Sequence, residues 1–176
     1  MVSKKSNNIR KPKDPILRAI LKLMIKTVSI MIAITVIFTF IFGFYRVNNI
    51  YMMPNINLND MILYYRLDRD YLIGEVVIYK YQGETMIGRI VALGGDEVDI
   101  DANGLQVNGS PQYEPKITKS TLPFVDGIKF PIKLKEGEIF VLADTRGESL
   151  DSRLFGPLSK ENIQGKIFIL LRRNNI

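Results

Sequence analysis

The sequence predicts a mainly β extracytoplasmic domain behind one N-terminal transmembrane helix. Three observations carry this: 19 uncharged residues from Thr27 to Tyr45, a basic stretch ahead of them, and a series of short Ile-, Val-, Tyr- and Phe-rich runs after them. A chain of 176 residues has room for one modest domain plus appendages.

Residues 1–26 read as a basic cytoplasmic tail. They hold eight of the 24 Lys and Arg residues but one of the 18 Asp and Glu, so the remainder of the chain is close to neutral and the formal +6 belongs to the tail. A nucleic-acid partner for the folded part thereby loses its main support. Residues 1–14, polar and charged with Pro12, are expected to be disordered. A helix is expected to start within Ile16–Lys26 and run into the span.

As a helix, residues 27–45 would cover roughly 28 Å of a hydrocarbon core about 30 Å thick. A buried core helix would carry a polar stripe, which this run lacks. A cleaved signal peptide would have a shorter basic region and a small-x-small site, and "GFYRVNN" offers none. The basic tail is expected to stay cytoplasmic and touch anionic lipid, which places residues 46–176 outside the cell membrane in a single-pass topology.

Beyond the span, "MILYYRL", "EVVIYKY", "MIGRIVAL", "EVDI", "LQV", "IKFPIKL", "EIFVLAD" and "KIFILLRR" are too short for most helices and rich in strand formers. Asn103-Gly104 and Asn108-Gly109 are turn signals, and "DANGLQVNG" reads as a small hairpin. Residues 110–136, with Pro111, Pro115 and Pro123, read as a loop or cap. "SKENI" reads as a helical turn capped by Ser159. The chain contains no Cys and no His, which excludes disulfides, Cys-His and Ser-His-Asp nucleophilic sites and the usual zinc sites. No metal or cofactor is expected.

The order of motifs resembles the type I signal peptidases over nearly the whole chain. The family's Ser-Met-x-Pro-Thr box is matched by Tyr51-Met52-Met53-Pro54-Asn55. Asn59-Asp60-Met61-Ile62 and Gly74-Glu75-Val76-Val77 resemble its strand entries. Its Lys-Arg-Val-x-Gly-x-x-Gly-Asp box is matched by residues 88–96, beginning Gly88-Arg89-Ile90-Val91. Val107-Asn108-Gly109 follows, and the last box is matched by residues 143–156, including Asp144, Arg146, Ser149, Asp151 and Arg153.

The resemblance implies a signal-peptidase-like β fold. It also implies that the serine of the first box is the nucleophile and the lysine of the third its base, a pair that works when desolvation lowers the lysine pKa. Here those positions hold Tyr51 and Gly88. The resemblance therefore points to a pseudoenzyme, in which Asn49, Met52, Met53, Pro54, Arg89 and Ser149 line the degenerate groove. Asp144, Arg146, Asp151 and Arg153 are expected to form a partly buried ion-pair network, and Ser149 to serve as a local capping hydroxyl. Inactive relatives of this type are associated with Gram-positive pilus assembly, so the implied partners are a pilin subunit, a sortase, or an extended signal-peptide-like segment. Two readings stand beside this one: an active signal peptidase using another base such as Lys80, and a membrane scaffold whose groove has no function. A decaying duplicate or an engineered Tyr51 would explain the substitutions without any role. Residues 51 and 88 are expected to be neighbours, with the Tyr51 ring leaning over Gly88.

Overall fold

The structure is a computed structural model, and it describes residues 14–115, 117, 119–147 and 149–172. The expected disorder of the tail therefore lies almost wholly outside the described residues, as does Glu148 of the last motif. The chain divides into two compact units, Met1–Thr39 and Phe40–Ile176.

The first unit is dominated by a single helix, α1 (Pro15–Val36), which continues through a π-helical turn, Ile37–Ile41. Pro15 at its first position needs no hydrogen-bonded amide there and presets the helical φ. No residue of α1 is buried, and the 27 residues Pro15–Ile41 are long and apolar enough to cross a membrane. The helix stops four residues short of the expected end at Tyr45. Phe42–Arg46 is a strand, β1, because its backbone pairs with β2 (Met61–Tyr65) from Phe42↔Tyr65 to Arg46↔Met61. A helical crossing of about 20 residues ending at Ile41 would reach back past Lys26 to Lys22, whose long stems could carry their charges toward the interface.

In the second unit β2 is followed by β3 (Val76–Tyr81), β4 (Glu84–Leu93), β5 (Glu97–Asp101), β6 (Gly104–Val107) and β7 (Ser110–Pro111). Then come β8 (Ile132–Lys133), β9 (Glu138–Leu142), a one-turn helix α2 (Ser152–Phe155), β10 (Leu158–Ser159) and β11 (Ile163–Leu171). Among the described residues the strands form a seven-stranded sheet, β1-β2-β11-β3-β4-β9-β10, and a four-stranded sheet, β7-β6-β5-β8. Mainly β architecture is thus what the sequence predicted.

The expected hairpin is present. Asn108 and Gly109 both take positive φ, 52° and 74°, as the tight turn between β6 and β7 requires. "IKFPIKL" yields only the two residues of β8, since Pro131 has no amide to give to a ladder. "SKENI" forms a 3-10 turn over Lys160–Asn162, with the Ser159 hydroxyl accepting from the Glu161 amide. The last strand pairs with β2 on one side and β3 on the other, which closes the sheet's centre.

Three apolar clusters fill the unit. One is built on β3, β4 and β9 around Tyr79, Ile90 and Val141. A second packs Phe140 and Leu142 against Val98 and Leu105 of the smaller sheet. A third gathers Ile62, Ile78 and Ile87 around Met52.

A charged cluster pins β11 to the segment ahead of β3. Lys166 Nζ lies 2.9 Å from Asp68 Oδ2 and 3.2 Å from Glu75 Oε2, and it donates to the Asp70 carbonyl. The Lys166 hydrogen bond and the Asp70 amide hold Asp68 below the ordinary aspartate value of 3.8. Burial disfavours the Lys166 ammonium, but its pairs with Asp68 and Glu75 outweigh this and raise it above 10.5. The depressed Asp68 contributes stability above pH 3.8 that is lost as pH falls through its folded value. The raised Lys166 contributes stability below pH 10.5 that is lost as pH rises through its own. Lys166→Met should therefore lower the melting temperature most between these limits. Thermal melts from pH 2.5 to pH 11 should show the difference from the parent narrowing at both ends.

Candidate functional site

The loop carrying Tyr51 is fixed from both sides. Beneath it, Met52 and Ile56 are buried in the third cluster, and the Ile56 amide donates to the Met52 carbonyl at 2.8 Å. Above it, the segment after β9 takes hold of the backbone. The Thr145 amide donates to the Tyr51 carbonyl at 2.8 Å, and the Thr145 hydroxyl reaches the Ile50 and Met53 carbonyls at 2.9 and 3.1 Å. Asn49 Oδ1 accepts from the Tyr51 amide at 3.2 Å. Met52, expected in the groove, is instead a core anchor with 0% exposure, because the loop's helical turn directs it inward; Met53 and Pro54 face solvent.

Gly88 lies at the centre of the sheet, opposite Val77 on β3, and it is buried. The three atoms nearest to a Cβ built at Gly88 are Tyr79 Cε1 at 3.1 Å, Val141 Cβ at 3.3 Å and the Leu142 carbonyl oxygen at 3.5 Å. Tyr79 thus stands nearest to the open side of Gly88. The half-buried Tyr51 packs against the same cluster that holds Tyr79 and Val141. Tyr79 has 0% exposure, and Phe155 of α2 lies 6.3 Å from its ring. Burial, then the neighbouring Asp151 carboxylate and Tyr51, push the Tyr79 hydroxyl well above the ordinary tyrosine value. Tyr79 is a neutral phenol at any physiological pH. Lys80, the substitute base considered from the sequence, is exposed, because alternation along β3 turns it away from the face that carries Tyr79.

The charged residues beside these positions are more deeply buried, and paired differently, than expected. Asp144 receives Arg89 Nε at 2.8 Å and Nη2 at 2.6 Å, and Asn55 Nδ2 at 2.8 Å. Arg146 pairs with Glu114, Nη1 to Oε2 at 2.7 Å, and also bonds Thr121 and the Ala143 carbonyl. Only Asp151 and Arg153 pair with each other, Nε to Oδ1 at 3.0 Å and Nη2 to Oδ2 at 2.8 Å. All four residues are buried rather than partly buried. The reason is topological: β4 runs beside β9, so Arg89 and Leu142 are directly opposed and Asp144 meets Arg89. Arg89 is part-buried: it donates to the Gly74 carbonyl at 2.8 Å and lines a pocket with Gly74, Val91 and Glu114. The Ser149 hydroxyl donates to Asp151 Oδ2 and accepts from Arg153 Nη2, both at 3.0 Å, so it completes this network.

Comparison with known proteins bears on what this arrangement is. The family model described as "Signal peptidase, peptidase S26" matches residues 20–171. The chain belongs to the signal peptidase family. Similar relatives include "Probable signal peptidase I-2" of Synechocystis sp., 31% identical over 130 residues, which are 67% of this chain and 57% of that protein. "Probable thylakoidal processing peptidase 2, chloroplastic" of Arabidopsis thaliana is 30% identical over 65% of this chain and 34% of its own length. The chain thus spans about half or less of the length of these two relatives. A crystal structure of a signal peptidase I from Enterococcus faecalis covers 56% of this chain and 97% of its own at 21% identity and a TM-score of 0.46.

Within this signal peptidase family member, sequence reading missed two elements of the region. One is α2, capped by the Asp151 carboxylate accepting from the Arg153 amide at 3.1 Å. The other is Tyr79. "VVIYKY" marks a strand, but nothing in it says that the fourth residue faces position 88. Strand register supplies that, since Tyr79↔Met86 sets Tyr79 diagonal to Gly88 on one face. Among the described residues no cluster of acidic side chains could hold a metal ion.

Proposed function

We propose that this chain is a catalytically inactive signal peptidase homologue, anchored in the cell membrane with its N-terminus cytoplasmic. It acts as a chaperone-like accessory factor in pilus assembly, holding an extended segment of a pilin subunit or a sortase. The observation that carries inactivity is the pairing of substitutions at the reactive positions: a phenol at Tyr51 on a backbone fastened by Thr145, and a buried glycine at Gly88. A phenol needs a base to attack a carbonyl, and glycine brings none. The retained and fully paired Asp144, Asp151, Arg89 and Arg153 support a fold that is kept for binding. The pilus role rests on the family resemblance and is the part most open to test.

One observation favours a second reading, an active peptidase: the relatives above are named as signal or processing peptidases. Full-length protein in detergent, incubated with a preprotein bearing a cleavable signal peptide, separates the two. We expect no cleavage. A product that disappears in Tyr51→Phe would sink the proposal. Binding is tested by titrating the same protein with pilin and sortase segments. Absence of saturable affinity rejects the holding role, and affinity lost on deleting residues 1–14 assigns it to the tail instead.

A further inference from the structure

We infer that the Tyr45 phenol sets how far an extended segment can pair with β4. Its hydroxyl holds the Thr85 carbonyl, an outward-facing acceptor on that strand's open edge, so a docked segment reaches Thr85 only by displacing it. This rests on the holding role proposed above and names the residue that limits it.

The open edge follows from the pairing. β4 is paired with β3 from Glu84 to Arg89 but with β9 only from Arg89 onward, so residues 84–88 have a strand on one side alone. Gln82 and Gly83 take φ of 48° and 86°, the two-residue hairpin turn in which the flanking pair, Tyr81 and Glu84, exchanges backbone hydrogen bonds. Alternation then sends the backbone groups of Glu84, Met86 and Gly88 toward β3, and those of Thr85 and Ile87 away from it. The same phase continues beyond them, where Ile90 bonds with Gly74 and Glu75 on the β3 side at 2.8 and 2.9 Å. Thr85 and Ile87 therefore present the amides and carbonyls that an added strand would use.

One of those groups is already taken. Tyr45 opposes Ile62 on β2, and its ring packs on the third cluster with Ile62, Ile78 and Ile87. From there the hydroxyl lies 3.0 Å from the Thr85 carbonyl oxygen, 40 residues along the chain, and 2.7 Å from Asn48 Oδ1, and its proton is shared between them. Asn49 Nδ2 donates to the same Asn48 oxygen at 3.2 Å, so the contact ties the entry to the Tyr51 loop to β4. Burial, then the Glu84 carboxylate, hold the Tyr45 hydroxyl above the ordinary tyrosine value, so at neutral pH it keeps the proton it donates. Phenylalanine would pack the same ring and leave the carbonyl bare. A segment docked on the present edge pairs with Ile87, and any rung at the Thr85 carbonyl competes with an internal hydrogen bond.

Two measurements on the full-length protein in detergent test this, both with Tyr45→Phe. The first needs no ligand. Thr85-Met86 is the single Thr-Met step in the sequence, so isotope labels at threonine carbonyls and methionine amides mark that one carbonyl by NMR. Its signal should shift in Tyr45→Phe as the hydroxyl is lost, and an unmoved signal overturns the contact. The second is titration with pilin and sortase segments, and with copies N-methylated at one backbone amide at a time. Tyr45→Phe should bind the best segment about two- to tenfold tighter, the worth of one hydrogen bond. One N-methyl group should weaken binding to the variant and leave binding to the parent unchanged, because it removes the amide that reaches Thr85. Equal affinities of the two proteins overturn the limit set by Tyr45. Saturable binding by neither rejects the holding role and the limit with it, while the carbonyl signal still decides the contact.

Discussion

Replacing Arg153 by methionine is expected to destabilise the β unit by about 3 to 5 kcal/mol, as breaking one half of a buried ion pair does. Arg153 has 0% exposure and spends its guanidinium on five acceptors: both Asp151 oxygens, the Ser149 hydroxyl, and the Leu122 and Arg146 carbonyls. Its cationic carbon also lies 4.2 Å from the Phe124 ring centroid. Methionine recovers the packing but leaves Asp151 with only neutral partners, the Ser149 hydroxyl and the Ala143 and Arg153 amides. The cost is therefore electrostatic more than steric. Removing both charges, as Asp151→Asn/Arg153→Met, should cost less than the Arg153→Met change alone. Denaturant melts of the three proteins check this. A loss below about 1 kcal/mol for Arg153→Met would mean that water reaches the pair.

Asp144→Ala should have the next largest effect, and a local one as well. The Asp144 carboxylate is fully enclosed and answers Arg89 and Asn55 together. Losing it strands a guanidinium that keeps one bond, to the Gly74 carbonyl, and retains some contact with solvent. We expect a global cost of about 2 to 3 kcal/mol, below that of the fully enclosed pair. Asn55, on the Tyr51 loop, meanwhile loses this tie to the segment after β9. Hydrogen exchange should then accelerate at the Met53, Ile56 and Thr145 amides beyond what the global loss explains. Uniform acceleration across the sheet would show that the Asn55–Asp144 bond does not anchor the loop.

Several features were legible because they are local. Alternating Ile, Val and Tyr with Gly and Asn between them is enough to place strands and turns, since side-chain period and turn chemistry act over a few residues. The identity of positions 51 and 88 is likewise written in the chain, and the proposal of inactivity rests on it. The boundary at Ile41 was not legible. Residues 42–45 carry no charge, like the run before them, and only pairing with β2 makes Phe42–Arg46 a strand. The direction of Met52 was hidden for the same reason: a methionine suits a groove or a core, and neighbours from β2, β3 and β4 decide which.

What the sequence determined by itself is therefore an apolar helix long enough to cross a membrane, a β-rich unit after it, and the presence of tyrosine at position 51 and glycine at position 88. What only the tertiary structure decided is who meets whom. Arg89 finds Asp144 at 55 residues' separation, Arg146 finds Glu114 at 32, and Tyr79 enters the space beside Gly88. These meetings follow from the sheet order, in which the last strand inserts between β2 and β3 and β4 lies beside β9. Pattern in a sequence fixes which face a side chain takes on its own strand. The strand that will lie against that face is chosen by the packing of the whole sheet.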